Sequence, residues 1–293
     1  MKIGAVYPQI ELGGSPVALD RIGRAVEEMG LDHLVMYDHV VGAVHEGRDP
    51  PLNGPYTQND PFHDPLVAFA YLAGVTRRIE LISGVLILPQ RQTVLVAKQA
   101  TDVALLSGNR LRLGVGIGWN YVEYQALGQG FETRGARINE QIPFLRRLWT
   151  ETEIDWQGRF DSINRGNLVP RPERPIPIFV GGVSEAAYQR AAIWGDGFLF
   201  AGGTVADILP KWDRVRALLT EKGRPVDGFE AHCLIMDERF AGLDAVAAAD
   251  NIRRWQDAGG TAASIVTMGR GFRTADEHLD HFARVRQALG GVG

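Results

Sequence analysis

The dipeptide Asp38-His39 is the part of the sequence best suited to proton transfer. Histidine exchanges protons near neutral pH, and a neighbouring carboxylate can orient its ring. The pair follows His33 to Tyr37, a short apolar run with the composition of a strand. In a barrel of parallel strands, the carboxyl ends of the strands form the active site. Asp38 and His39 are therefore candidate catalytic residues. The alternative is that Asp38 caps a turn beside a packed histidine.

Two glycine-rich segments are candidates for ligand binding. Gly181-Gly182, followed by Ser184 at the start of a helical pattern, is typical of an anion site, because exposed N–H groups and the helix dipole favour a phosphate. A tight turn that needs positive φ explains these glycines equally well. The run Gly114-Val-Gly-Ile-Gly118 departs from a dinucleotide fingerprint, since in the register that starts at Gly114 the last glycine would fall on Trp119. Close approach of the backbone to a flat ligand is the better explanation.

Other chemistries have weaker support in the sequence. Neither a phosphate-binding loop of the Walker type nor a zinc-protease helix motif is present. A glycosidase would need two carboxylates, and Glu11, Asp38 and Glu123 are the candidates. His278 and His281 have the spacing of metal ligands, but a solvated outer helix face explains them better. We therefore predict no metal site.

The elements that must position these residues alternate along the chain. Short β-type runs are followed by longer segments of helical period, eight times in succession. This predicts an α/β fold, a (β/α)8 TIM barrel forming one domain over 1–293, with a doubly wound sheet as the runner-up. Two segments interrupt the rhythm and are interpreted as excursions, at 41–62 and 152–175. The predicted strands are Ile3–Tyr7, His33–Tyr37, Ile79–Leu88, Leu111–Val115, Ile176–Val180, Gly197–Phe200, Glu230–Met236 and Ala263–Thr267.

Composition and charge narrow the class of protein. The 293 residues are 45% hydrophobic and 23% charged, which excludes a mostly disordered chain. With 31 basic and 35 acidic residues and no basic stripe, the sequence argues against nucleic-acid or membrane-surface binding. A single cysteine excludes an intramolecular disulfide framework. We expect a cytoplasmic protein with a small-molecule substrate.

Three parts of the sequence together resemble the luciferase-like monooxygenase superfamily. They are the Asp38-His39 pair, the run Leu113-Gly-Val-Gly-Ile-Gly-Trp-Asn-Tyr-Val-Glu-Tyr-Gln-Ala-Leu-Gly128, and Ile178-Phe-Val-Gly-Gly-Val-Ser-Glu-Ala-Ala187 with the later Gly195-Asp-Gly197. The resemblance covers almost the whole chain. It implies a TIM barrel with excursions, binding of FMN or the deazaflavin coenzyme F420, and a homodimer.

The Asp38-His39 pair is more similar to the F420-dependent branch of that superfamily. The resemblance implies that both residues contact the deazaflavin, with His39 as the proton-transfer candidate. It implies a non-prolyl cis peptide at Gly84-Val85, backing the ring. It also assigns cofactor contacts to the region of the fourth strand (Gly118, Trp119, Glu123) and to the phosphate-binding loop (Val180, Gly181, Gly182, Ser184). The F420-dependent sugar-phosphate dehydrogenases carry a catalytic glutamate where this chain has Trp119, which argues against that particular reaction.

The function predicted on these grounds is hydride transfer between F420 and a small organic substrate. Three alternatives remain open. The first is an FMN-dependent monooxygenase that uses molecular oxygen. The second is a flavin-binding protein without catalysis, and the third is a cofactor-free barrel hydrolase.

Overall fold

The computed structural model describes residues 1–290 of the chain. Eight parallel strands close a barrel, because the first strand pairs with both the second and the last, and the third pairs with the fifth. The third and fourth strands of the chain count as one barrel strand, and the sixth and seventh form a separate hairpin. The TIM-barrel prediction is therefore confirmed. The strands are β1 (Lys2–Val6), β2 (His33–Met36), β3 (Glu80–Ser83), β4 (Leu86–Ile87), β5 (Leu111–Gly116), β6 (Ile154–Gln157), β7 (Ser162–Gly166), β8 (Ile178–Gly181), β9 (Gly197–Phe200), β10 (Glu230–Ile235) and β11 (Ala262–Ile265).

One predicted strand is divided in the structure. The run Ile79–Leu88 forms β3 and the short β4, separated by a cis peptide bond between Gly84 and Val85. The cis peptide lies where the family resemblance implied it. Both halves pair with β5, so the interruption displaces the backbone without opening the barrel.

Helices cover the outside of the barrel. Ser15, Asp64 and Ser184 each accept N–H groups of the first turn of the helix that follows, and the sequence predicted the helix start at Ser184. None of the helices within residues 1–290 is long and apolar enough to cross a bilayer. The helices are α1 (Pro16–Glu28), α2 (Pro65–Val75), α3 (Thr93–Ser107), α4 (Tyr121–Ala126), α5 (Arg134–Thr150), α6 (Glu185–Trp194), α7 (Val205–Glu221), α8 (Ala245–Asp257) and α9 (Ala275–Ala288).

The two predicted excursions have different structures. Residues 41–62 contain no helix or strand and lie between β2 and α2. The second excursion carries the β6–β7 hairpin between α5 and β8. Glu140 of α5 accepts the N–H groups of Arg159, Phe160 and Asp161 in the hairpin turn. The hairpin is thus fastened to the outer helix layer.

A polar cluster lies among the buried strand residues. His33 and His232 each place Nε2 against the Ser264 hydroxyl, at 2.8 and 2.7 Å. All three residues are buried. Burial lowers the pKa of His232 to about 3 and that of His33 well below its usual value. Both imidazoles are therefore neutral in the folded protein at neutral pH.

Candidate active site

A cavity of about 450 Å³ opens at the carboxyl ends of the barrel strands. Nine of the eleven predicted site residues line it, and most of the other lining side chains are apolar or aromatic. The predicted residues on its wall are Asp38, His39, Gly84, Val85, Gly118, Trp119, Gly181, Gly182 and Ser184. Other residues on the cavity wall were not predicted from the sequence, among them Tyr37, Pro55, Tyr56, Ile87, Ile117, Leu234, Met236 and Phe240.

Val85 projects into this cavity from the interrupted third strand. A Cβ at Gly116 would lie 2.4 Å from one γ-methyl of Val85, and a Cβ at Gly181 would lie 2.6 Å from the other. Any side chain at either glycine would therefore displace Val85. The two glycines make room for Val85, which presents a convex apolar surface to the cavity. A flat ring can lie against such a surface.

Asp38 hydrogen-bonds to the segment that follows the cis peptide bond. One carboxylate oxygen accepts the N–H of Ile87 at 2.9 Å, and the other accepts Nη2 of Arg91 at 2.7 Å. Arg91 also donates to Asp64, the capping residue of α2. Burial raises the pKa of Asp38, and the Arg91 guanidinium opposes that effect. With both oxygens engaged, Asp38 holds backbone in place rather than offering a free carboxylate to a ligand.

His39 points into a ring of aromatic side chains. Its imidazole centroid lies 5.2 Å from that of Tyr56, 4.8 Å from that of Phe62 and 5.6 Å from that of Trp119. Nδ1 lies 3.3 Å from Oε1 of Glu123, whose side chain is 1% exposed. It is therefore Glu123, and not the adjacent Asp38, that contacts the ring. Nε2 remains for a molecule in the cavity.

Glu123 itself is fixed from several sides. It lies in the first turn of α4, which Asn120 caps, and its oxygens also accept the N–H groups of Val40 and Val41 and Nε2 of Gln90. Burial alone would raise the pKa of Glu123, but the hydrogen bonds hold it below its usual value. An ionised carboxylate here selects the His39 tautomer with a proton on Nδ1. Glu123 acts through His39 and does not itself line the cavity.

Trp119 forms a wall of the cavity and is held by the first excursion. Its indole packs so closely on Gly54 that a Cβ there would lie 2.3 Å from the ring. His45 lies edge-on to the same ring at 5.8 Å and bonds the backbone oxygen of Tyr56 through Nε2. The excursion at 41–62 therefore shapes the cavity.

The glycine turn after β8 leads into α6. Gly182 has φ +146°, a conformation open mainly to glycine, and the Ser184 side chain accepts the N–H of Ala187. The first turn of α6 therefore borders the cavity next to Val85, a favourable place for a phosphate. Val180 differs from its neighbours, because its side chain is buried in the layer between the barrel and the helices, away from the cavity.

The histidines of the last helix are not on a solvated face. His278 and His281 are both buried, which corrects the interpretation from the sequence. His278 places Nδ1 2.8 Å from the Thr267 hydroxyl, so it has a packing partner in the barrel wall. Within residues 1–290, no group of three or more potential ligands is arranged to hold a metal ion.

Fold and site together define a barrel with a mostly apolar cavity, a glycine turn at the start of a helix and one histidine held by a buried carboxylate. The model of the luciferase-like monooxygenase family matches residues 6–283, and the chain belongs to that family. It is 34% identical over 244 residues to an uncharacterized protein of Mycobacterium tuberculosis, covering 82% of this chain and 81% of the relative. It is 30% identical over 201 residues to the F420-dependent glucose-6-phosphate dehydrogenase of Gordonia bronchialis, covering 66% and 55% respectively.

Solved structures with the same fold include an F420-dependent enzyme and a monooxygenase. An F420-dependent secondary alcohol dehydrogenase, in complex with an F420–acetone adduct, superposes with a TM-score of 0.79 at 16% identity, covering 98% of both chains. A monooxygenase of Streptomyces bottropensis superposes with a TM-score of 0.77 at 17% identity, covering 97% of this chain and 98% of that one. At these identities the likeness concerns the fold.

Proposed function

We propose that the protein is an F420-dependent oxidoreductase that transfers a hydride between the deazaflavin and a small organic substrate. The observation that carries the proposal is the placement of His39. Its ring lines the cavity next to the convex surface of Val85, and Nδ1 is tied to the buried Glu123. Such a histidine can move a proton at Nε2 while hydride moves at a neighbouring carbon.

The residues of the cavity fit a deazaflavin. Val85 offers the apolar surface for a ring, with Gly116 and Gly181 clearing the space around it. Gly182 and the first turn of α6 offer N–H groups to a phosphate. When bound, F420 would supply the carbon that accepts or donates the hydride.

The chain's own contribution is positioning and proton transfer. Glu123 orients His39 and fixes its tautomer, so that Nε2 faces the substrate. Tyr56, Phe62 and Trp119 surround the imidazole and exclude water from it. Asp38 takes part indirectly, because it holds the backbone at Ile87 next to the Val85 surface.

An FMN-dependent monooxygenase is the second candidate. The Val85 surface would support an isoalloxazine ring as well as a deazaflavin, and the Streptomyces bottropensis monooxygenase has the same fold. Oxygen consumption separates the two, since deazaflavin does not readily activate oxygen.

Cofactor titration is the direct test of the proposal. We expect the purified protein to bind F420 at least tenfold more tightly than FMN, followed by the fluorescence of each cofactor. We expect Gly181→Ala to weaken F420 binding about tenfold or more, because the new Cβ displaces Val85. Gly135→Ala on α5 is the matched control, since nothing lies within 4 Å of the added Cβ. A preference for FMN would instead favour the monooxygenase.

We also propose that the protein is a homodimer formed through the outer faces of α2 and α3. Helix α2 is apolar on nearly all sides, yet Val67 and Tyr71 are exposed on it. Helix α3, packed beside it, exposes Leu95 and Leu106. A helix with apolar residues all around is normally buried. A second copy of the chain would cover this surface.

Light scattering after gel filtration tests the assembly. We expect a particle of twice the 32.2 kDa chain mass, and a monomer when Val67→Glu and Leu95→Glu are combined. Val246→Glu, an equally exposed valine on α8, should leave the dimer intact. A wild-type monomer would contradict the proposal.

A further inference from the structure

The wall of the active-site cavity has almost no charge of its own. Of the residues that line it, only Asp38 and His39 carry ionisable groups other than tyrosine hydroxyls. The Asp38 carboxylate is 0% exposed and already bound to Arg91. Lysine, arginine and glutamate side chains do not line the cavity in the described part of the chain. A charged substrate group would find no fixed counter-charge beyond the single imidazole.

The space around His39 is aromatic. Tyr56 and Phe62 approach the ring from the excursion at 41–62, and Trp119 approaches from the loop after β5. Gly54 fixes the indole in place, so this wall is rigid. Apolar ring surfaces stabilise ligands by burial and by stacking or edge contacts. They offer nothing that would offset the desolvation of an anion.

We propose that the substrate is a neutral and largely apolar molecule with one carbonyl or hydroxyl group, which His39 receives at Nε2. This inference rests on the proposed F420 function and deepens it. In the reducing direction, the carbonyl carbon accepts a hydride from the reduced coenzyme and forms a C–H bond. His39 in its imidazolium form gives its Nε2 proton to the C=O π pair, which forms the O–H bond, and the neutral ring keeps its proton on Nδ1 beside Glu123. The proton released as the coenzyme is oxidised restores His39, and alcohol oxidation is the reverse.

A phosphorylated sugar is excluded as the substrate for the same physical reason. A phosphate dianion in a low-dielectric cavity is stable only with cationic or multiple N–H partners. The lining residues include no lysine or arginine, and the coenzyme's own phosphate would occupy the N–H groups of the α6 turn. The substrate therefore differs from that of the glucose-6-phosphate dehydrogenase to which the chain is similar.

A pair of probes that differ only in charge tests this directly. Acetophenone and 4-acetylbenzoate share the aryl ketone, and the second adds a carboxylate. We expect F420-loaded protein to bind acetophenone at least tenfold more tightly, measured by ligand-detected NMR. Ile117→Arg adds a cation to the cavity wall and should reverse the preference. Val169→Arg, on an exposed loop away from the cavity, should leave it unchanged.

The outcomes separate this inference from the cofactor proposal. Equal binding of the two ketones, tighter binding of 4-acetylbenzoate, or no binding of acetophenone would each overturn the neutral-substrate inference, as would turnover of glucose 6-phosphate. F420 binding is measured on the same samples. If F420 does not bind, the cofactor proposal is wrong, but the two ketones still report the charge preference of the cavity.

Discussion

His39→Ala is expected to lower turnover about 10²–10⁴-fold, the range typical of a lost general acid or base. The F420 dissociation constant should change less than about threefold, because a phosphate turn and the Val85 surface supply most of the proposed cofactor contacts. The physical reason is the proton at Nε2, because the other ionisable groups on the cavity wall are poor substitutes: Asp38 is bound to Arg91, and burial raises the pKa of Tyr37 and Tyr56. Steady-state kinetics and cofactor titration on the same preparation measure both quantities.

His45→Ala is the matched control for this substitution. His45 lies in the same region and also contacts Trp119, but it bonds the Tyr56 backbone rather than Glu123. Its loss should cost far less turnover. The turnover of Glu123→Gln should lie between those of His39→Ala and His45→Ala, because the amide still holds the imidazole ring but carries no charge. Equal losses of turnover and of cofactor affinity in His39→Ala would mean that His39 binds the cofactor and does not transfer a proton.

The barrel is expected to lose stability as the pH falls below about 6.5, the ordinary pKa of histidine. The folded-state pKa of His232 is about 3, so between these values the unfolded chain binds a proton that the folded chain does not. Stability is therefore complete above the unfolded pKa and declines as the pH falls toward 3. Each pH unit below the unfolded pKa lowers the free energy of unfolding by about 1.4 kcal/mol for His232, and His33, whose pKa is also lowered by burial, adds to the loss.

Urea unfolding at pH 7.5 and pH 5 measures this effect. His232→Gln keeps a polar group beside the Ser264 hydroxyl but cannot titrate, so it should reduce the loss of stability on acidification. Replacing His45, which is not part of this cluster, should leave the acid sensitivity unchanged. Identical losses in wild type and His232→Gln would show that other groups, such as the buried carboxylates, dominate.

The fold was predictable because its signals are local. Each strand and helix carries its own period and caps, as at Ser15 and Asp64, and the count of eight units then implies closure. Helix α4 was missed although its signal is present, since Asn120 followed by Glu123 is a typical capping pattern. Six residues are simply too few for periodicity to register.

The site was less predictable because its contacts are not local. Asp38 and His39 are adjacent, which suggested a functional pair, yet successive side chains at a strand end point in different directions. One supports Ile87 and the other meets Glu123, 84 residues further along the chain. That contact depends on how the excursion at 41–62 and α4 pack together, and no sequence period encodes it. Arg91 was missed for the same reason.

Glu123 links the backbone at the root of the excursion to the imidazole of His39. The same carboxylate accepts Val40 and Val41 N–H groups at the root of the excursion and contacts Nδ1 of His39. Any opening that lifts this root away from α4 also parts the carboxylate from the imidazole. One carboxylate therefore holds both the root of the excursion and the imidazole, so the two cannot be released independently.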